Sequence, residues 1–205
     1  EPILEWMMAP VKHALPAGTS MIAVEIQETF FTAMKVAFFG GFIISLPVIF
    51  WQLWLFLAPG LYDHEKKLVV PFVFFATLMF LLGASFAYYI VVPVGFDFLI
   101  AFGNSVVSVL PSIGKYVGFF TKLLIGFGIA FELPVITFFL AKIGLVNDQM
   151  LKDFFRYAVV LIFIVAAVLT PPDVISQVLM AAPLLILYGV SIYIAKVFNP
   201  AQKEE

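Results

Sequence analysis

Long apolar runs separated by short polar segments recur along the whole chain. A helix needs about 20 residues to cross the hydrocarbon core of a bilayer, and five runs are apolar enough to be candidate spans. They cover residues 30–57, 68–94, 118–141, 157–170 and 174–195. The pattern predicts an all-α polytopic membrane protein, a bundle of transmembrane helices with all 205 residues in a single transmembrane domain.

The fourth run is shorter than the others. Its roughly 14 residues reach about 21 Å as a helix, less than a hydrocarbon core of about 30 Å. We therefore expect the last two spans to form a short hairpin that thins the bilayer or packs against its neighbours.

Proline occurs in four of the five runs. Each proline removes a helical hydrogen bond and tends to kink its helix, although bilayer helices also tolerate proline well. The residues are Pro47, Pro71, Pro93, Pro134 and Pro183. We expect kinked helices that together form a concave, cup- or glove-like shape.

The segments between the runs have patterns of their own. Residues 1–29 begin with "EPILEWMMAPVKHAL", whose apolar spacing predicts a short amphipathic helix on the membrane surface, before a turn at "PAGTS". The stretch "GFDFLIAFGNSVVSVLPSIGK" predicts an outer loop at the membrane interface. In "KIGLVNDQMLKDFFRY", Asn147 is a candidate cap for a short helix.

Basic residues collect on one side of the predicted spans, and loops rich in Lys and Arg stay in the cytoplasm. This side holds Lys66, Lys67, Lys142, Lys152, Arg156, Lys196 and Lys203. Loops 58–67 and 142–156 and the C-terminal tail 196–205 are then cytoplasmic, and segment 1–29 is periplasmic. Five spans place the termini on opposite sides, and the chain starts at Glu1. We therefore expect at least one N-terminal span to be missing.

The composition agrees with a membrane protein and argues against several functions. Hydrophobic residues make up 63% of the chain and charged residues 12%, whereas soluble domains have about 25% charged residues. The absence of cysteine and the net charge of -2 argue against disulfides, cysteine metal sites and nucleic-acid partners. Both histidines lie in predicted loops, so we expect no enzyme, no metal site and no cofactor.

Glu132, in "GIAFELPVITF", is the one acid deep in a predicted span. Intramembrane acids face a cavity or a partner and commonly mark function, although Glu132 could simply hold two helices together. An alternative function is a proton-coupled secondary transporter in which Glu132 titrates. The inverted repeats that would support a transporter are not evident in the sequence.

Two further polar positions, Asp173 and Gln177, lie in "LTPPDVISQVLM". Asp173 is placed to cap the last helix, and Gln177 could form a hydrogen bond to a partner helix. Glu65 lies in the polar segment "APGLYDHEKK", where an acid beside two lysines is commonly a solvated charge.

Three stretches resemble the TatC family, the polytopic receptor subunit of the twin-arginine protein translocase. They are "FLAPGLYDHEKK", "FGIAFELPV" and "LTPPDVISQVLMAAPLLILYGVSI". The resemblance implies six spans in the cytoplasmic (inner) membrane, with both termini inside, of which this chain would contain five. It also implies a non-enzymatic receptor for twin-arginine signal peptides of folded precursor proteins, with export driven by the proton-motive force. The implied partners are TatA-like and TatB-like single-span subunits, other copies of itself and the lipid bilayer.

The resemblance also implies two sets of site residues. Signal-peptide binding would involve Phe56, Pro59, Gly60, Leu61, Tyr62, His64, Glu65 and Lys66. Glu65 would be the main determinant, because a carboxylate accepts the planar fork of a guanidinium bidentately. The concave face and partner contacts would involve Glu132, Pro134, Pro172, Asp173 and Gln177.

Overall fold

The computed structural model describes residues 2–14, 21–57, 69–104, 111–170 and 174–199. Within these ranges the secondary structure is helical, apart from one isolated bridge between Ile22 and Ser112. The helices are α1 (Pro2–Ala14), α2 (Glu28–Leu57), α3 (Val69–Phe86), a π-helical turn (Ala87–Val91), α4 (Val92–Asn104), α5 (Ile113–Lys142), α6 (Asp148–Leu169) and α7 (Val174–Phe198). The predicted all-α fold class is confirmed.

Four helical stretches among the described residues are long and apolar enough to cross a membrane. They are Glu28–Phe56, Val70–Phe98, Ile113–Lys142 and Gln177–Phe198. Helix α6 is not among these four, since its N-terminal part carries Asp148, Lys152, Asp153 and Arg156. These four candidate spans agree with the prediction of a polytopic membrane protein. The fifth predicted span, at residues 157–170, stays a prediction.

The helix does not end near Val94, where the second predicted span ends. The helical path continues through the π-helical turn and α4 to Asn104, so much of the expected outer loop is helix. Pro93 lacks the amide that an uninterrupted α-helix would use. Just before it, the Val92 N–H donates to the Ala87 carbonyl five residues back, and this wider turn accommodates the proline without ending the helix.

The other prolines do not end their helices. Helices α2, α5 and α7 run through Pro47, Pro134 and Pro183. Pro71 lies near the start of the described part of α3, which continues to Phe86. The kinked, cup-like bundle stays a prediction.

Helix α6 begins at Asp148 rather than near residue 157, so the expected loop 142–156 is largely helical. The predicted cap at Asn147 is confirmed, because its side chain accepts a hydrogen bond of 2.8 Å from the Met150 amide. The capped helix is not a separate short element: it runs without a break to Leu169. With 22 residues in α6 and 25 in α7, the hairpin is longer than we expected.

The chain divides into two compact units. Unit one contains residues 1–77 and 84–125, and unit two contains residues 78–83 and 126–205. Helices α3 and α5 each contribute residues to both units. The single transmembrane domain is thus still a prediction, and each unit is described separately below.

In unit one, α1 is held by two tyrosine hydroxyls. Tyr88 donates to the Trp6 carbonyl at 3.0 Å, and Tyr116 donates to the Met7 carbonyl at 2.6 Å. The Trp6 and Tyr88 rings stack with their centroids 4.3 Å apart. The predicted amphipathic helix is confirmed, but Met7 and Val11 are fully buried within the protein, so its inner face packs on protein rather than on lipid.

Glu28, the first residue of α2, ties this helix to the start of α5. Its carboxylate accepts hydrogen bonds from the Ser112 hydroxyl and from the Gly114 amide, the latter at 2.7 Å. It also accepts from the Val24 amide at 2.5 Å. Beside it, Ile22 pairs with Ser112 in the isolated bridge. One carboxylate therefore joins two segments that are far apart in sequence.

In unit two, polar side chains bond α7 to α6 and to the loop before it. Tyr188 donates to the Leu151 carbonyl at 2.9 Å, and Asn199 donates to the Val146 carbonyl at 3.1 Å. Tyr188 lies within α7 and Asn199 directly follows it, and each side chain donates to a backbone carbonyl. The two helices therefore pack side by side, in opposite directions.

We expect Glu28→Ala to lower the thermal stability of the detergent-solubilised protein, because Ser112, Gly114 and Val24 all lose their shared acceptor. The melting temperature measured by tryptophan fluorescence checks this. Glu25→Ala is the matched control, since the Glu25 side chain is exposed and bonds Gln27 on the same segment. Equal melting temperatures for the two variants would contradict the tie between α2 and α5.

Candidate functional site

Glu132 lies in the interior of α5, in unit two. Its side chain is only 5% exposed, and its carboxylate is within hydrogen-bonding reach of the Phe80 backbone. The Oε1 atom is buried and has no hydrogen-bond partner among the described residues. A buried carboxylate oxygen without a donor is costly, so this atom is available to accept a hydrogen bond from a group outside the described structure.

Two glycines allow residues 78–83 of α3 to lie very close to α5 beside Glu132. A Cβ atom built on Gly83 would lie 2.5 Å from the Phe127 carbonyl oxygen. A Cβ atom on Gly128 would lie 2.5 Å from the Phe80 ring. Gly128 precedes Glu132 by one helical turn, so both residues lie on the same face of α5. The absence of two side chains thus lets the helices enclose the acid.

Pro134 is buried two residues beyond Glu132. Its missing amide leaves the Ala130 carbonyl without the usual helical donor. Helix α5 nevertheless continues to Lys142. The backbone next to the acid therefore lacks one of the hydrogen bonds that an uninterrupted α-helix forms.

A second feature of unit two is an open, largely apolar groove of about 350 Å³ between α6 and α7. Its lining residues are Val159, Val160, Phe163, Ile164, Ala167 and Gln177. The Gln177 amide donates to the Phe163 carbonyl at 2.9 Å. Gln177 thus bonds α6 of its own chain and also places an amide group among the apolar residues of the groove.

The structure describes four of the predicted site residues: Phe56, Glu132, Pro134 and Gln177. Phe56 lies at the C-terminal end of α2 in unit one and is 83% exposed. Glu132 and Pro134 are brought together on α5, but no hydrogen bond joins Glu132 to Gln177 among the described residues. The remaining predicted residues lie outside the described ranges: Pro59, Gly60, Leu61, Tyr62, His64, Glu65, Lys66, Pro172 and Asp173.

The Glu132 carboxylate can accept a hydrogen bond, and the α6–α7 groove can bury the apolar surface of a ligand. Within the described ranges, no cluster of three or more His, Cys, Asp or Glu residues could hold a metal ion. Glu132 is a buried acid with no acidic cluster around it among the described residues, and the groove is lined mainly by apolar side chains. Such features suit the binding of another helix or peptide better than bond-breaking chemistry.

Comparison with known proteins identifies the family. Residues 1–183 match the family model described as Sec-independent protein translocase protein (TatC). The chain is 57% identical over 205 residues to the TatC of Campylobacter jejuni, covering 99% of this chain and 84% of that protein. It is 55% identical over 185 residues to the TatC of Helicobacter pylori strain J99, covering 90% and 74% respectively.

The chain belongs to the TatC family. A crystal structure of a twin-arginine translocase receptor, TatC, agrees at a TM-score of 0.86 and 39% identity, covering 96% of this chain and 86% of that chain. The resemblance inferred from the three sequence stretches is confirmed. This TatC protein is therefore a multi-pass membrane component of a Sec-independent, twin-arginine protein translocase.

Sequence reasoning missed the two glycines at the close approach of α3 and α5 beside Glu132, and it missed the π-helical turn that follows α3. Gly83 and Gly128 lie inside predicted spans, and small residues in spans commonly mark close helix crossings. Pro93, near the end of the predicted run 68–94, was a signal for a local change of helical geometry. Which residues these positions contact depends on helix packing.

We expect Gly83→Ala to destabilise this TatC protein by on the order of 1–3 kcal/mol, the usual range for overpacking. The added methyl would lie 2.5 Å from a backbone oxygen, which has no rotamer by which to move away. Thermal unfolding in detergent provides the measurement.

The matched control is Gly118→Ala in α5, where an added Cβ would meet nothing within 4 Å. Alanine favours a helix over glycine by about 1 kcal/mol, so this variant should be neutral or slightly more stable. If both variants unfold at the same temperature, the close crossing beside Glu132 does not exist.

Proposed function

We propose that this TatC protein binds the twin-arginine signal peptides of folded precursor proteins at the cytoplasmic face, through residues 56–66. In this proposal it assembles with TatA-like and TatB-like single-span subunits and with further copies of itself. Export is driven by the proton-motive force. The observation that carries the proposal is the family match over residues 1–183, together with the likeness to a structure described as a translocase receptor.

Glu65 is the proposed acceptor for the paired arginines. A guanidinium group presents several N–H donors in one plane, and a carboxylate accepts two of them at once. Pro59 and Gly60 supply the residue types of a tight turn after α2. Their proposed role is to hold Glu65 in place, while Leu61, Tyr62, His64 and Lys66 complete the binding segment.

Phe56 supports the proposal from the described part of the chain. It lies at the end of α2, immediately before residues 58–67, and its ring is largely exposed. An exposed aromatic ring can pack on the apolar part of a signal peptide or on the face of an arginine. The exposed ring of Phe56 therefore lies shortly before Glu65, the proposed arginine acceptor, in the sequence.

For the single-span subunits we propose contacts in unit two. Glu132 has a buried oxygen without a donor among the described residues, and it can accept a hydrogen bond from a polar group on a neighbouring helix. The α6–α7 groove, with Gln177 beside it and Pro172 and Asp173 before α7, is the proposed docking position for an apolar helix. Both features supply a polar anchor within an apolar surface.

We expect Glu65→Gln to lower the affinity for a twin-arginine peptide by about tenfold or more. This is the effect expected when a hydrogen bond between charged groups is lost. The amide keeps the size of the side chain but cannot pair its charge with a guanidinium. Binding of a fluorescent signal peptide to the protein in nanodiscs measures the effect.

Asp63→Asn is the matched control, because it removes one negative charge two residues away in the same segment. If the protein is instead a transporter that acts through Glu132, Glu65→Gln should affect peptide binding no more than Asp63→Asn does. Wild-type peptide affinity in that variant would remove the receptor role from Glu65.

We expect Gln177→Leu to weaken co-purification of single-span subunits, because the groove loses the polar group that would pair with their helices. Quantitative pull-down of tagged TatA-like and TatB-like subunits from solubilised membranes checks this. Gln149→Leu is the control, as Gln149 bonds Asp153 on the exposed start of α6. Unchanged subunit recovery in a Gln177→Leu protein of normal melting temperature would refute docking at the groove.

A further inference from the structure

An exposed group of aromatic and basic side chains lies near the start of α6, and we call Phe154, Arg156 and Tyr157 the α6 patch. The Arg156 guanidinium lies 4.7 Å from the centre of the Tyr157 ring and donates to the Tyr157 hydroxyl at 2.9 Å. The Phe154 and Tyr157 rings have centroids 5.6 Å apart. All three side chains are exposed, so the arginine is oriented by its neighbours and still accessible.

Arg156 carries a positive charge that no carboxylate neutralises among the described residues. Lys152, one turn earlier, pairs with Asp148 at 2.6 Å. Asp153 accepts a hydrogen bond from Gln149 at 3.0 Å. Arginine has five N–H donors, and the bond to Tyr157 uses one of them. The remaining donors are available to an external anion.

The same end of unit two carries two more exposed lysines. Lys142, at the end of α5, lies over the Phe138 ring, and Phe138 in turn contacts Phe198 at the end of α7. Lys196 lies in the last turn of α7. The bond from Asn199 to Val146 holds this end of α7 beside the loop that precedes α6. Among the described residues at this end, Lys142, Lys196 and Arg156 outnumber Asp153, the one carboxylate that is not paired with a lysine.

An apolar surface continues directly from the α6 patch along the helix. Leu161 and Val165 follow Tyr157 at successive intervals of four residues, hence on the same face, and they are 51% and 45% exposed. Neither residue belongs to the lining of the α6–α7 groove. A ligand that fits this surface has an anionic head at Arg156 and an apolar body along Leu161 and Val165.

We propose that the α6 patch binds the phosphate of an anionic phospholipid of the phosphatidylglycerol type, with an acyl chain lying along Leu161 and Val165. Guanidinium groups bind phosphate bidentately. Aromatic residues concentrate at the level of lipid headgroups, and basic pockets at the ends of spans bind anionic headgroups. An acidic protein segment would satisfy the arginine but would leave the apolar surface uncovered.

The first test measures lipid selectivity in the full chain. The protein is reconstituted in phosphatidylcholine bilayers containing spin-labelled phosphatidylglycerol or spin-labelled phosphatidylcholine, and the motionally restricted fraction of each probe is measured. We expect the wild type to prefer phosphatidylglycerol and Arg156→Gln to reduce that preference about fivefold, the usual effect of one basic residue near a membrane surface.

Lys122→Gln is the control, since Lys122 is an exposed cation of α5 in unit one with no ring contact among the described residues. Its effect on the preference should be clearly smaller. An equal loss in both variants would mean that only net charge matters, and an unchanged preference in Arg156→Gln would mean that no lipid binds there. Either result overturns the proposal.

A second test separates a lipid from a protein occupant. A photoreactive amino acid replaces Phe154 in the protein within native membranes, and the adduct is analysed by mass spectrometry after illumination. A phospholipid adduct that declines in Arg156→Gln supports the proposal. A protein adduct as the main product overturns it and assigns the patch to a protein partner.

Discussion

Inside a bilayer no water satisfies the backbone, so each N–H and C=O group must find its partner within the protein. That constraint makes the described secondary structure of the spans helical, and it determines what happens where a helix is interrupted. Pro93 removes a donor, and the preceding π-helical turn keeps the Val92 amide bonded to Ala87. Pro47, Pro134 and Pro183 likewise lie within helices that continue past them.

The same constraint gives unusual weight to each polar side chain. In unit one, the hydroxyls of Tyr88 and Tyr116 donate hydrogen bonds to backbone carbonyls of α1. In unit two, Tyr188 and Gln177 donate to backbone carbonyls of α6. Glu132 differs from these side chains because one of its oxygens has no partner among the described residues. A protein that assembles with other helices in the membrane needs such acceptors, since lipid supplies no driving force for apolar helices to associate.

Much of the fold followed from local composition. The apolar runs predicted α2, α3, α5 and α7, and the cap at Asn147 was predicted from its residue type and position. Boundaries were less predictable: α4 extends to Asn104 and α6 starts at Asp148 because helices continue beyond the apolar run wherever their polar groups remain satisfied. The family was evident from three stretches of sequence, and it is this membership that makes the protein a translocase component.

The sequence by itself determined the membrane class, the helical content and the family, because hydropathy and residue type act on each segment separately. Only the tertiary structure decided which distant residues meet: Glu28 with Ser112 and Gly114, Gly83 with Phe127, and Tyr188 with Leu151. These pairings depend on how closely two backbones approach and which faces they present. Neither distance nor rotation between helices is encoded in the periodicity of a single helix, since lipid-facing and protein-facing surfaces are equally apolar.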